Sequence, residues 1–300
     1  MSLHAIVAAL GGDLYQGGRR ANVPAPGHSA GDRSISLLVS EDRVVIHSFG
    51  AADWRAVRDH LAELRLIDGS GRIAGVGRSG PSVSAIRPDR AARVATAQRL
   101  WNGAGPLAPG SVSHRYLVGR SVELGPGFLQ DLRHHPDAPV SVFQSGGPTR
   151  PALVARITDA GGRMTAVELV YLDPNGRRAD RLRLPRKTVG VVPPGSAVRL
   201  SPQAQDMIVG EGVLTVLSAC ERFGRPGWAL MSAHNLSAWV PPQEVGRILI
   251  AADRGVAGER AAARLRSRLC SLGVAVSVAL PPEPFEDWNA AATGRKEGGR

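Results

Sequence analysis

Residues 208–219 read IVGEGVLTVLSA, and residues 248–265 read ILIAADRGVAGERAAARL. Each stretch opens on a short, continuous apolar run, bounded by glycine or an acid and without the alternation of a half-exposed strand. Such runs mark strands buried on both faces, as in a parallel sheet covered by helices. Each run stops at an acid near glycine: Glu211 sits between Gly210 and Gly212, and Asp253 stands just before Gly255. Helical patterns follow, over 213–223 and over 257–272, the second with Ala262, Leu265, Leu269 and Leu272 on one stripe. Further strand-like runs at 228–232 and 274–280 complete an alternation of strand and helix. The expected fold class is therefore α/β, with a Rossmann-like parallel sheet at 205–292 that binds ligands at the carboxyl ends of its strands.

Glu211 and Asp253 stand where such a sheet places its chemistry, and Asp287, in FEDWNAA (285–291), follows the last strand by a short loop. Any one of these acids is also explained as a first-turn helix residue favoured by the dipole. Three in this order make a stronger pattern. Carboxylates converging on one crevice repel one another unless a cation joins them, and hard oxygen donors beside phosphate point to Mg²⁺ or Mn²⁺.

The ordered set resembles the toprim family, and within it the phage- and plasmid-type DNA primases. The resemblance implies that Glu211 does general acid–base work and that Glu211, Asp253 and Asp287 hold the metal. It implies metal-dependent nucleotidyl transfer, with RNA primers made from nucleoside triphosphates on single-stranded DNA. One position departs from the family's Asp-x-Asp: Gly255 stands where the second aspartate belongs, and Glu259 lies one turn further on. Two rival readings follow, a catalytically impaired toprim module that binds DNA or a replisome partner, and a toprim nuclease. No Gly-x-x-x-x-Gly-Lys-Ser/Thr loop occurs, so a separate replicative helicase is an expected partner.

The stretch VPAPGHSAGDRSISLLVSEDRVVIHSFGAAD (23–53) resembles a primase zinc ribbon that has lost its thiolates. His28, Asp32, Arg33, Ser34 and His47 keep the register, while Ala25, Ser48 and Ala52 stand at cysteine positions. One histidine does not close a tetrahedral site, so no zinc is expected and packing must hold this unit.

The expected organisation is a small α+β zinc-ribbon-like unit (1–66), a Gly/Ser/Pro-rich linker (67–90), a mixed α+β middle region (91–204), the toprim domain (205–292) and a tail (293–300). In the middle region a helix opens at Asp89 and another covers 113–120. Strands are expected at 152–157, 166–172 and 181–184, and His134 and His135 read as a surface loop. Arg177, Arg178, Arg181, Arg183, Arg186 and Lys187 form a cationic strip. Strand alternation turns part of it to one face, and Arg183, Arg186 and Lys187 are candidate contacts for nucleotide or nucleic-acid phosphate. A solvated basic edge strand is the competing reading.

The net charge is +11. It favours a polyanionic partner, but nearly all the cations are arginine in an Ala-, Gly- and Pro-rich chain, a bias that GC-rich coding also produces. Two cysteines, Cys220 and Cys270, build neither a disulfide framework nor a zinc site, and both read as buried small hydrophobes. The apolar runs are too short for a bilayer and no basic n-region opens the chain, so a cytoplasmic location is expected.

Overall fold

The computed structural model describes residues 3–28, 32–40, 43–48, 53–73, 89–123, 125, 130–143 and 146–297. Its contacts divide the chain into two compact units, Met1–Arg87 and Pro88–Arg300. No helix among the described residues is long and apolar enough to cross a membrane.

The first unit contains α1 (His4–Leu10), β1 (Asp13–Tyr15), β2 (Arg20–Val23), β3 (Ile35–Ser40), β4 (Arg43–Ser48) and α2 (Trp54–Glu63). The four strands form an antiparallel sheet in sequence order. Strand alternation sends Ile35, Leu37 and Val39 to one face, where they meet Ile6 and, from α2, Val57 and Leu61. Asp32 ties the segment after β2 to the start of β3. Its carboxylate accepts the N–H groups of Ala25 (3.0 Å) and Ser34 (3.0 Å) and the Ser34 hydroxyl (2.7 Å). His28 Nδ1 lies 3.0 Å from the same group. Burial opposes the charge on Asp32, yet these donors hold its carboxyl down at about 2. Ala52 lies outside the described residues.

The linker expected at 67–90 begins later than its composition suggests. Ile67 is only 3% exposed in the first unit's core, and a bridge from Ile67 to Ile73 folds 67–73 back as a turn. The rest of that expectation, 74–88, lies outside the described residues. Asp89 then caps the next helix through Ala92 N–H (2.6 Å).

In the second unit α3 (Arg90–Asn102), β5 (Gly105–Pro106), α4 (Val112–Gly119), β6 (Leu132–Pro139), β7 (Thr149–Thr158), β8 (Met164–Tyr171) and β9 (Arg186–Gly190) build an antiparallel sheet in the order β5-β6-β7-β8-β9. Ala97, Leu100 and Trp101 of α3 pack on Val154, Leu169 and Tyr171 of this sheet. His134 and His135 lie inside β6, not in a loop. Pairing with β7 overrides the weak strand preference of LRHHPDAP. The strand expected at 181–184 is a turn and bend, and β9 starts only after Pro185. Residues 173–180 first double back on the end of β8, with Asp173 N–H bonded to Arg177 O and Ala179 N–H to Tyr171 O.

The remaining elements are β10 (Val198–Arg199), β11 (Asp206–Gly210), α5 (Val213–Phe223), β12 (Gly227–Ala229), α6 (Ala233–Ala238), β13 (Arg247–Ala251), α7 (Val256–Ser271), β14 (Ala275–Ala279) and α8 (Trp288–Glu297). The sheet order is β10-β12-β11-β13-β14, parallel except for the antiparallel edge strand β10. The α5 side chains Val216, Leu217 and Cys220 join one core cluster, while Leu236 of α6 and Leu265 and Leu269 of α7 join another, so helices cover both sides of the sheet. The expected tail is helical as far as Glu297. Cys220 is buried, but Cys270 is exposed, on the outer side of α7.

Candidate active site

Strands β11 and β13 are adjacent and parallel, with Gly210 opposite Ala251, so the chain leaves both at the same level of the sheet. Gly210 makes this closeness possible: a Cβ there would stand 2.9 Å from Ala251 O. Glu211 follows immediately and Asp253 two residues after Ala251. Both acids, with Asp287, line a cavity of about 580 Å³.

Burial raises the Glu211 carboxyl above its ordinary range, opposed by the N–H of Ala233 and the charge of Arg186. The turn after β12 is wrapped around this residue. Met231 donates its N–H to Glu211 O (2.8 Å) from a left-handed conformation, φ 70°. Such a conformation is uncommon for a side chain of this size.

Asp253 is pushed up to about 6, by burial first and then by the charges of Glu211 and Asp287, with Thr215 and Arg186 opposing. Thr215 on α5 donates its hydroxyl to Asp253 Oδ1 (3.2 Å). Asp287 caps α8 through Ala290 N–H (2.6 Å), so the helix-terminal reading of this acid holds alongside its place on the cavity wall. Glu259 reaches back to Gly255 N–H (3.1 Å) and caps α7.

The cationic strip divides. Arg177, Arg178 and Arg186 line the cavity, and Arg183 and Lys187 do not. Lys187 donates to Val140 O (2.6 Å) and lies over the Tyr171 ring. It is therefore on the face of β9 opposite Arg186, as the two-residue strand period requires. Arg186 donates Nε–H to Glu168 Oε2 (2.6 Å), a carboxylate on β8 that is 5% exposed. Among the cavity residues that sequence reading missed are Arg120, Glu168, Thr215 and Asn289. Of these only Asn289 carried a signal, beside Asp287 in the DWN triplet.

Among the described residues no three His, Cys, Asp or Glu side chains are gathered closely enough to ligate one ion. The donor set nevertheless fits magnesium. All its donors are hard oxygens, Asp253 carries the repulsion of two neighbouring carboxylates, and magnesium habitually takes one or two carboxylates and completes its shell with water and substrate phosphate.

Residues 206–297 match the family described as the toprim domain. The C-terminal part of the chain is a toprim domain. Upstream of it, residues 91–200 match a domain of unknown function, DUF7146. No curated protein matches the chain. Among solved structures the toprim-bearing chain is similar to the primase fragment of the bacteriophage T7 primase-helicase protein. That likeness is 11% identical and covers 92% of this chain and 96% of that one, with a TM-score of 0.40. It is also similar to the Aquifex aeolicus primase (zinc-binding and RNA polymerase domains), 13% identical over 99% of this chain and 82% of that one, TM-score 0.43. The RNA polymerase domain of Mycobacterium tuberculosis primase DnaG is 13% identical over 70% of this chain and 83% of that one, TM-score 0.43.

Proposed function

We propose that this chain is a primase-type nucleotidyltransferase that joins ribonucleotides on single-stranded DNA. The observation that carries the reading is one cavity in which Glu211, Asp253 and Asp287 meet Arg120 and Arg186 at the strand ends of a toprim sheet. Glu211, Asp253 and Asp287 would hold Mg²⁺ or Mn²⁺ between them, one or two by direct ligation and the rest through water, with substrate phosphate completing the shell. The ion supplies charge neutralisation at the phosphates and lowers the pKa of an attacking oxygen. Glu211, its proton affinity raised by burial, takes the proton of the attacking 3′-hydroxyl. The oxygen–phosphorus bond forms at the α-phosphorus as the bond to pyrophosphate breaks, and Arg186 and Arg120 meet the charge on the phosphates.

A second reading, a DNA- or replisome-binding module without turnover, is favoured by Gly255 at the aspartate position and by the loose spacing of the acids. Incubation with labelled ribonucleotides and single-stranded DNA, in Mg²⁺ and in Mn²⁺, separates the two. Template-dependent primers support nucleotidyl transfer, whereas DNA binding without product supports the module. Cleavage of the DNA would identify a toprim nuclease.

A further inference from the structure

The cavity holds one arginine whose placement depends on a neutral partner. Arg120 follows α4, and its Nε–H donates to Asn289 Oδ1 (2.6 Å). Asn289 is only 1% exposed. Its amide nitrogen donates to Arg120 O (2.7 Å) and to Ser218 Oγ (3.0 Å) on α5. The amide therefore grips the arginine by both its side chain and its backbone. The Arg120 Nε–H can only donate and the Arg120 carbonyl can only accept, so together they fix the amide with its oxygen toward the guanidinium, and Ser218 accepts the remaining amide hydrogen.

We infer that Asn289 is a positioning residue, which holds the Arg120 guanidinium on the cavity wall as a preset contact for an oligophosphate. Among the described residues the Arg120 side chain makes no other hydrogen bond or ion pair, so its terminal nitrogens keep their donors. A long arginine side chain loses rotamer freedom when it binds, and anchoring Nε beforehand removes part of that cost. An amide does this without cancelling the charge. The neighbouring Arg186 differs, because its anchor Glu168 is a carboxylate and offsets its charge.

This inference rests on the proposed phosphate-binding reading, and the test separates the two. Binding of inorganic triphosphate with Mg²⁺ is measured by calorimetry on the full chain, with far-UV circular dichroism confirming each variant's fold. Asn289→Ala should weaken binding about tenfold, the scale of one hydrogen bond to a charged group. Arg120→Lys keeps the charge but loses the Nε anchor, and should lose about as much. Adding Asn289→Ala to Arg120→Ala should cost little more than Arg120→Ala alone. Full binding by Asn289→Ala, or by Arg120→Lys, overturns the positioning role, as does full additivity in the double variant. If Asn289→Ala does not fold, Arg120→Lys decides alone. Absence of triphosphate binding in the unaltered chain overturns both the positioning role and the reading beneath it.

Discussion

The first turn of α7 rests directly on Asp253: a Cβ at Gly258 would stand 2.6 Å from the Asp253 carbonyl oxygen. No rotamer change relieves a clash with backbone. Replacing glycine by alanine inside a helix normally gains about 0.5–1 kcal/mol, but overpacking of this kind costs about 1–3 kcal/mol. Gly258→Ala should therefore be net destabilising in urea unfolding, and should weaken any stabilisation by Mg²⁺. A more stable Gly258→Ala would show that the helix and Asp253 are not in this contact.

Gly255 makes a separate point about the missing aspartate. It has φ 105° and ψ 159°, with open space where a side chain would go. The obstacle to a side chain is therefore the backbone, since only glycine adopts this region freely, at a penalty of about 1–3 kcal/mol for other residues. Gly255→Asp should lower stability by about that amount without metal. If the new carboxylate reaches the ion, Mg²⁺ should recover part of the loss, which thermal unfolding with and without Mg²⁺ would show. An unchanged unfolding temperature without metal would contradict the strained backbone.

In the first unit Asp32 clasps the segment after β2 to the start of β3. Its folded pKa of about 2 lies below the ordinary 3.8. A depressed acid contributes stability above its unfolded pKa and loses it as pH falls through the folded value. Protection of the Ala25 and Ser34 amides should thus weaken between about pH 4 and pH 2. Asp32→Asn should abolish that pH dependence, read by hydrogen exchange. Metal analysis should find no stoichiometric zinc. One tightly held zinc per chain would overturn the account of this unit.

Arg186 and Lys187 are adjacent in sequence yet should act differently. Arg186→Ala should flatten the salt dependence of DNA binding by about one unit in the log–log slope. Lys187→Ala should leave the slope unchanged and cost stability, because its ammonium serves Val140 O and the Tyr171 ring. Equal slopes for the two variants would place both on one face.

The toprim sheet was legible because its central strands are short continuous apolar runs ending in Gly210-Glu211 and Ala252-Asp253, which position alone assigns to the ligand-binding edge. The arginine strip was not, because its face depended on where β9 begins, and a one-residue change of register exchanges the faces. Pro185 and the turn at 173–180 set that start. Arg120 was invisible for another reason: its partner Asn289 lies 169 residues away, and nothing local in the sequence marks either as half of a pair. Glu168, inside the apolar run of β8, likewise gains its meaning only from Arg186 across the sheet.

The most direct test compares the unaltered chain, Asp253→Asn and Glu211→Gln in primer synthesis on single-stranded DNA, with DNA affinity measured in parallel. Synthesis by the unaltered chain should depend on Mg²⁺ or Mn²⁺, and should be lost in both variants while DNA affinity is retained. Full synthesis in both variants would contradict nucleotidyl transfer at Glu211 and Asp253.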